Sequence, residues 1–327
     1  MERYPLAKAI NLALRDAMRA DERVLLAGED IGALGGVFRV TDGLLDEFGP
    51  ERVRDTPLAE SGIVGTAIGM AMGGYRPVVE IQFEGFVFPA FNQITTQLAK
   101  LHYRSQGDIR LPIVIRIPSG GGIGAIEHHG ESPESYFAHT PGLRVVTPAG
   151  AADAYELLRA AIACDDPVIY FEPKSKYWTK EEVTFSAPSD PVTTLQTARV
   201  ERHGHDVTLA GYGPTVATLH QVAATWEEDG VSCDVINLRS LNPLDLDTVA
   251  DRVTATGRLV IAHEAPTTFG PGAELAAAIQ QQCFYRLEAP IARVGGAFTP
   301  YPPAALEAHY LPSAARIDAA IIDVLDY

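Results

Sequence analysis

Short apolar runs alternate with amphipathic stretches through most of this chain, and no other feature limits its fold as tightly. Leu6, Ile10, Leu14 and Met18 recur every four residues and draw one apolar stripe down a helix, after which VLLAG from Val24 reads as a short buried strand. The runs Pro77–Ile81, Ile113–Ile117, Leu143–Val146 and Val168–Phe171 repeat the strand signal, separated by helical stretches such as Phe88–Tyr103 and Ala151–Ala163. Strands that are apolar on both faces, with helices between them, imply a parallel sheet covered on both sides. The expected fold class is α/β.

From Lys174 to Gly204 the alternation gives way to polar sequence with Pro188 and Pro191 among Ser, Thr and Glu, as a linker between domains would. A second α/β unit follows, with strands expected at Val207–Ala210, Ser232–Ile236, Arg258–Ala262 and Ile291–Val294. The 327 residues therefore divide into a first domain at 1–175, a linker at 176–204 and a second domain at 205–327.

Composition narrows the partners. With 26 basic against 42 acidic residues the net charge is −16, and no Lys/Arg cluster forms a phosphate-tracking stripe, so nucleic acid is not expected to bind. Cys164, Cys233 and Cys283 are odd in number and outside any CxxC pairing, which argues against disulfides and thiolate metal sites and fits a reducing cytoplasm. The opening MERYPLAKAINLALRDAMRADERV mixes acidic and basic groups, and no run reaches the roughly 18 apolar residues of a membrane span. Neither a signal peptide nor a membrane segment is expected.

The strongest local signal is DTPLAESGIVGTAIGMAMGG: a strand ending at Asp55, a turn through Pro57, then a helix. Gly62, Gly65, Gly69 and Gly73 fall three or four apart and share one helical face. Each costs a helix up to ~1 kcal/mol relative to Ala, which asks for a compensating close approach by another backbone. Glu60 sits in the first helical turn, where the helix dipole alone favours a carboxylate by roughly 0.3 to 1 kcal/mol. On these residues alone, tight packing and chemistry both remain open.

The spacing Glu60, four residues, Gly65, three residues, Gly69 resembles the pyrimidine-domain motif of thiamine-diphosphate enzymes. Around it, in order, stand GED at Gly28–Asp30, DTPLAE at Asp55–Glu60, EIQFEGFVFPAFNQI from Glu80, EHHGESPESYFAHTPGLRVV from Glu127 and YFEPK from Tyr170. Together they resemble the β subunits of branched-chain 2-oxo acid dehydrogenases, with pyruvate dehydrogenase β subunits as near relatives. Beyond Lys174 the chain resembles the transketolase C-terminal domain.

This resemblance implies a parallel-sheet pyrimidine-binding domain followed by a transketolase C-terminal-like α/β domain. The implied activity is oxidative decarboxylation of branched-chain 2-oxo acids with reductive acylation of lipoamide. Acetyl transfer from pyruvate, or a non-catalytic paralogue of the same fold, is the alternative. Glu60 would hydrogen-bond the aminopyrimidine of the cofactor and favour the tautomer that removes the thiazolium proton. Leu58 and Gln82 would line the same pocket, and Phe86 would stack on the ring. Glu29 matches a glutamate of the acidic channel that links paired active sites. His129 would serve the transfer of the acyl unit to lipoamide, with imidazole suited to exchanging protons near neutrality, while His128 is read as exposed. The family usually follows this histidine with Ser and Gln; here Gly130 and Glu131 take those places, removing a hydroxyl contact and leaving Glu131 as a compensating carboxylate.

The resemblance also implies what another chain must bring. Magnesium, which needs octahedral oxygen ligands, is held in such enzymes by a Gly-Asp-Gly motif, and this sequence has no GDG. The diphosphate and magnesium are thus expected on an α subunit, in an α2β2 heterotetramer that serves a lipoyl-bearing acyltransferase. A potassium ion is expected from the same resemblance, held by Ile113, Ala161, Cys164 and Asp166, mostly through backbone carbonyls. A nicotinamide fingerprint is the rival, since Gly120, Gly122 and Ala125 match GxGxxA. It fails on context, because the match runs into EHHGESPE and the next strand ends in Thr147 rather than in an acid.

Overall fold

The computed structural model describes residues 2–327. In chain order its strands are β1 (Arg3–Pro5), β2 (Val24–Gly28), β3 (Val53–Asp55), β4 (Arg76–Glu80), β5 (Val114–Ser119), β6 (Arg144–Val146) and β7 (Val168–Pro173). There follow β8 (Lys180–Glu182), β9 (Arg199–Arg202), β10 (Val207–Gly211), β11 (Cys233–Asn237), β12 (Ser240–Asn242), β13 (Leu259–Pro266) and β14 (Ala292–Gly296). A seven-stranded sheet runs in the order β12-β6-β7-β5-β4-β2-β3, parallel except for β12 at one edge. A five-stranded sheet, β14-β13-β10-β11-β9, is parallel except for β9.

The inner strands β2, β5 and β7 are buried along their whole length, which is why they read as unbroken runs. Helix Ala151–Ala163 packs on helix Leu6–Ala20, whose stripe of Leu6, Ile10, Leu14 and Met18 is buried as expected. Buried charge interrupts this core. Arg116 on β5 donates to Glu80 at 2.7 Å and, through two nitrogens, to Glu172 at 2.6 and 3.0 Å, while Tyr177 donates to Glu172 at 2.6 Å. The paired, charge-assisted geometry makes an arginine tolerable inside a sheet.

Three details depart from expectation. Residues 176–204, polar enough to suggest a tether, carry two edge strands: β8 pairs antiparallel with β1, and β9 closes the second sheet against β11. Edge strands face water along one side and need no apolar pattern. Strand β12, from the second half of the chain, joins the first sheet through Ser240 opposite Val146. The stretch Phe88–Tyr103 is not one helix but a 3-10 turn at Phe88–Ala90, a π-helical turn at Gln93–Leu98 and α-helix at Ala99–Arg104. There the Thr95 hydroxyl donates to the Phe91 carbonyl at 2.9 Å, a local bond that competes with regular helix. No described helix is long and apolar enough to cross a membrane.

Candidate active site at the carboxyl ends of the strands

Open parallel sheets bind ligands beyond the carboxyl ends of their strands, and the chemistry-bearing residues collect there. Glu29 follows β2, Leu58 and Glu60 follow β3, Gln82, Glu84 and Phe86 follow β4, the loop to His129 follows β5, and Lys174 follows β7. Glu60 opens the helix Glu60–Met72 and is half-buried, while Leu58 just ahead of it is 80% exposed. That helix buries Ile63, Val64, Ala67, Ile68 and Ala71 against the sheet, which turns its glycines outward. The close backbone approach expected for them is not made within this chain: a Cβ on Gly69 would meet nothing within 4 Å, and one on Gly65 only the Gln93 side chain at 3.9 Å.

Glu29 is buried, and its Oε1 has no hydrogen-bond partner among the described residues. Burial raises its pKa, and the charge of Glu60 raises it further, so the two carboxylates share one electrostatic environment. Gln82 ties the ends of β4 and β2 together by donating to the Glu29 carbonyl at 3.4 Å and to Asp30 at 3.3 Å.

The 3-10 turns Glu84–Phe86 and Glu127–His129 pack on each other at Gly85, where a Cβ would stand 2.6 Å from the His128 carbonyl oxygen. Glycine therefore lets the imidazole of His129 lie edge-on to Phe83 and Phe86, with ring centroids 4.2 and 5.3 Å away. Among the described residues its Nδ1 is buried without a partner, and Glu131 does not supply the compensating contact expected of it. Instead the Glu131 main-chain carbonyl accepts from Gly120 N–H at 2.9 Å and closes the loop on itself. Burial lowers the His129 pKa, and the nearby charge of Lys174 lowers it further.

Beneath His129 lies a cluster of acids around one ammonium. Lys174 is buried, forms an ion pair with buried Glu84, and lies 5.8 Å over the Phe83 ring. Burial pushes Glu84 up to about 7, Glu134 to about 8 and, from β13, Glu264 to about 7. Glu84 Oε1, Glu134 Oε2 and the Tyr212 hydroxyl are buried and unpartnered among the described residues. Ser119, Gly120, Glu134, Tyr212 and Glu264 line one small cavity between the two sheets. None of these acids, nor Lys174, was assigned a role from the sequence; the signal available was a Glu inside the apolar run FEGF and a Lys closing a buried strand.

Residues 3–179 match the transketolase pyrimidine binding domain and residues 196–317 the transketolase C-terminal domain. The pyruvate dehydrogenase E1 component subunit beta of Leifsonia xyli subsp. xyli is 55% identical over 318 residues, covering 97% of this chain and 93% of that one. The 3-methyl-2-oxobutanoate dehydrogenase subunit beta of Mycobacterium tuberculosis is 53% identical, covering 95% of this chain and 89% of its own length. The chain belongs to the 2-oxo acid dehydrogenase β-subunit family. The 2-oxoisovalerate dehydrogenase subunit beta of Pseudomonas aeruginosa is a more distant member at 43% identity, covering 98% of this chain and 95% of that one. A solved structure described as a split gene transketolase, inactive beta4 tetramer, shares the fold with a TM-score of 0.80 over 99% of both chains at 21% identity.

The family depends on thiamine diphosphate, and the residues at this edge fit its pyrimidine end: a half-buried Glu60, an exposed Leu58, a half-buried Phe86 and a Glu29 oxygen still without a partner. The residues expected to hold potassium lie at the opposite edge of the sheet and do not fit the ion. Arg76 donates to the Cys164 carbonyl at 2.6 Å and to the Ile162 carbonyl at 2.8 Å, which puts a guanidinium where a cation beside Cys164 would stand. Asp166 is paired with Arg144 at 2.8 Å, and the Ile113 carbonyl accepts from Val168 N–H at 2.9 Å. Among the described residues no three His, Cys, Asp or Glu side chains converge to hold a metal.

Proposed function

We propose that this chain is the β subunit of an enzyme that decarboxylates branched-chain 2-oxo acids and acylates lipoamide on an acyltransferase component, and that it acts only within an α2β2 heterotetramer. The observation that supports this reading is the convergence of Glu29, Glu60, Gln82, Phe86 and His129 at one sheet edge, beside a helix on which a Cβ at Gly69 would meet nothing within 4 Å among the described residues.

Thiamine diphosphate, when bound, supplies the electron sink for decarboxylation. Glu60 and Glu29 would orient its pyrimidine end, and burial, with the charge of Glu60 beside it, holds the Glu29 carboxyl above its ordinary pKa. Phe83 and Phe86 exclude water from the side of the site where His129 lies. His129, kept neutral near pH 7 by its lowered pKa, offers one N–H donor and one acceptor nitrogen, suited to moving a proton as the acyl group passes to lipoamide. The diphosphate and magnesium fall to the α subunit, in keeping with the missing Gly-Asp-Gly motif.

The relatives named for 3-methyl-2-oxobutanoate and 2-oxoisovalerate support a branched-chain substrate, and the Leifsonia relative supports pyruvate as a second reading. The test is turnover by the chain alone and by the chain assembled with its α subunit, each with thiamine diphosphate and magnesium. No turnover alone, and faster turnover of 3-methyl-2-oxobutanoate than of pyruvate by the assembly, is expected. Full activity of the single chain would overturn the two-subunit reading, and a preference for pyruvate would select the second substrate.

A further inference from the structure

The loop that carries His129 is gripped by the second half of the chain. Glu307 accepts the backbone N–H groups of Gly122 at 3.0 Å and Gly124 at 3.2 Å, and the Tyr301 hydroxyl donates to the same carboxylate at 2.6 Å. Glu264 accepts the N–H of Gly121 at 3.1 Å. The Tyr301 ring also fills the space that side chains would need in the loop: a Cβ on Gly121 or on Gly130 would stand 2.8 Å from its Cζ. The room a side chain at Gly130 would need is thus taken by the Tyr301 ring.

We propose that Tyr301 and Glu307 form an interdomain clasp that positions His129; this rests on the acyl-transfer role of His129 proposed above. Two facts make the clasp necessary. Gly120, Gly122 and Gly124 all have positive φ, at 78°, 83° and 69°, so the loop's backbone has wide freedom when nothing holds it. The imidazole Nδ1 has no partner among the described residues, so the ring is oriented by Phe83, by Phe86 and by the main chain that carries it. Four loop glycines, Gly121, Gly122, Gly124 and Gly130, meet Glu264, Glu307 or Tyr301, and through them the second domain sets the position of the first domain's histidine. The hydrogen bonds of Tyr301 and Glu307 go to each other and to the loop's main chain rather than to His129, so both are positioning residues.

The experiment uses the full chain assembled with its α subunit and compares Glu307→Ala, Tyr301→Ala, Gly130→Ser and the double variant Gly130→Ser/Tyr301→Ala. Decarboxylation is read with an artificial oxidant that bypasses lipoamide, acyl transfer with a lipoyl domain, and loop order by hydrogen exchange of residues 120–131. In Glu307→Ala and Tyr301→Ala, exchange of the loop should quicken and acyl transfer fall on the order of ten- to a hundredfold, as misplacement of a reacting group does, with oxidant-linked turnover nearly unchanged. Gly130→Ser should impair acyl transfer alone but cost nothing further in the Tyr301→Ala background, since the clash is then gone. Unchanged loop exchange, equal loss in both assays, or an additive cost in the double variant overturns the clasp. His129→Ala separates the two readings: normal acyl transfer there overturns the role of His129 itself, whereas impaired transfer there beside unimpaired clasp variants overturns the clasp alone.

Discussion

The two walls of the site are finished differently. On the β3 side Leu58 is 80% exposed, Glu60 is half-buried, and Gly69 faces outward with nothing near it. On the β5 side Glu84, Glu134 and Lys174 are buried beneath His129, and the loop above them is gripped by residues more than a hundred positions away in sequence. Lys174 is paired with Glu84 of the same chain and the loop is held by its second half, so the β5 wall is closed by contacts within one polypeptide. The β3 wall keeps glycines that each weaken a helix by up to ~1 kcal/mol and meets no compensating contact, the arrangement expected where another polypeptide provides the cover.

That contrast predicts that the closed wall answers to mutation through stability and the open wall through chemistry. The largest effect falls on Lys174. Lys174→Met removes the ammonium among Glu84, Glu134 and Glu264, and breaking a buried pair costs about 3 to 5 kcal/mol. Because those carboxyls escape by protonating, the loss should be greater at pH 8.5 than at pH 6 in urea unfolding of the chain alone. A pH-independent loss, or none, would mean that the closed wall is not held by charge compensation.

On the open wall, Glu60→Gln keeps the shape and removes the charge. If that charge contributes ~3 kcal/mol, in the range for one electrostatic group, exchange of the cofactor's thiazolium proton slows roughly a hundredfold. The melting temperature should hardly move, since a first-turn carboxylate contributes only about 0.3 to 1 kcal/mol to its helix. Deuterium exchange in the assembled enzyme and thermal unfolding of both variants measure the two; a large loss of stability with normal exchange would erase the contrast.

The smallest effect, read per pH unit, is a slope. Glu134, pushed up to about 8 against an ordinary value of 4.5, binds a proton in the folded state that the unfolded chain has released. Its contribution is fully present below the unfolded value and is lost as pH rises through about 8, by up to about 1.4 kcal/mol per pH unit within that window. Stability should fall from pH 5 to pH 8.5, and Glu134→Gln should flatten the decline. An unchanged slope would show that the charge of Glu134 is screened at the junction.

Local pattern alone determined the buried parallel strands and the helices between them, because burial on both faces leaves an unbroken run such as VLLAG and burial on one face leaves a stripe such as Leu6, Ile10, Leu14 and Met18. The motif around Glu60 lies just beyond β3 and His129 at the end of the loop that follows β5, so the sequence already placed both at the carboxyl ends of the strands. Only the tertiary structure decided the rest. Strands β8, β9 and β12 are edge strands, whose identity depends on the strand they meet rather than on their own composition. Carbonyl oxygens carry no side-chain signature, so the guanidinium of Arg76 beside Cys164 was invisible until the chain was folded. Lys174 meets Glu84 across 90 residues, Gly121 meets Glu264 across 143 and Gly122 meets Glu307 across 185. Such contacts have no local trace, because what places the two groups together is the packing of one sheet's carboxyl edge against the other's.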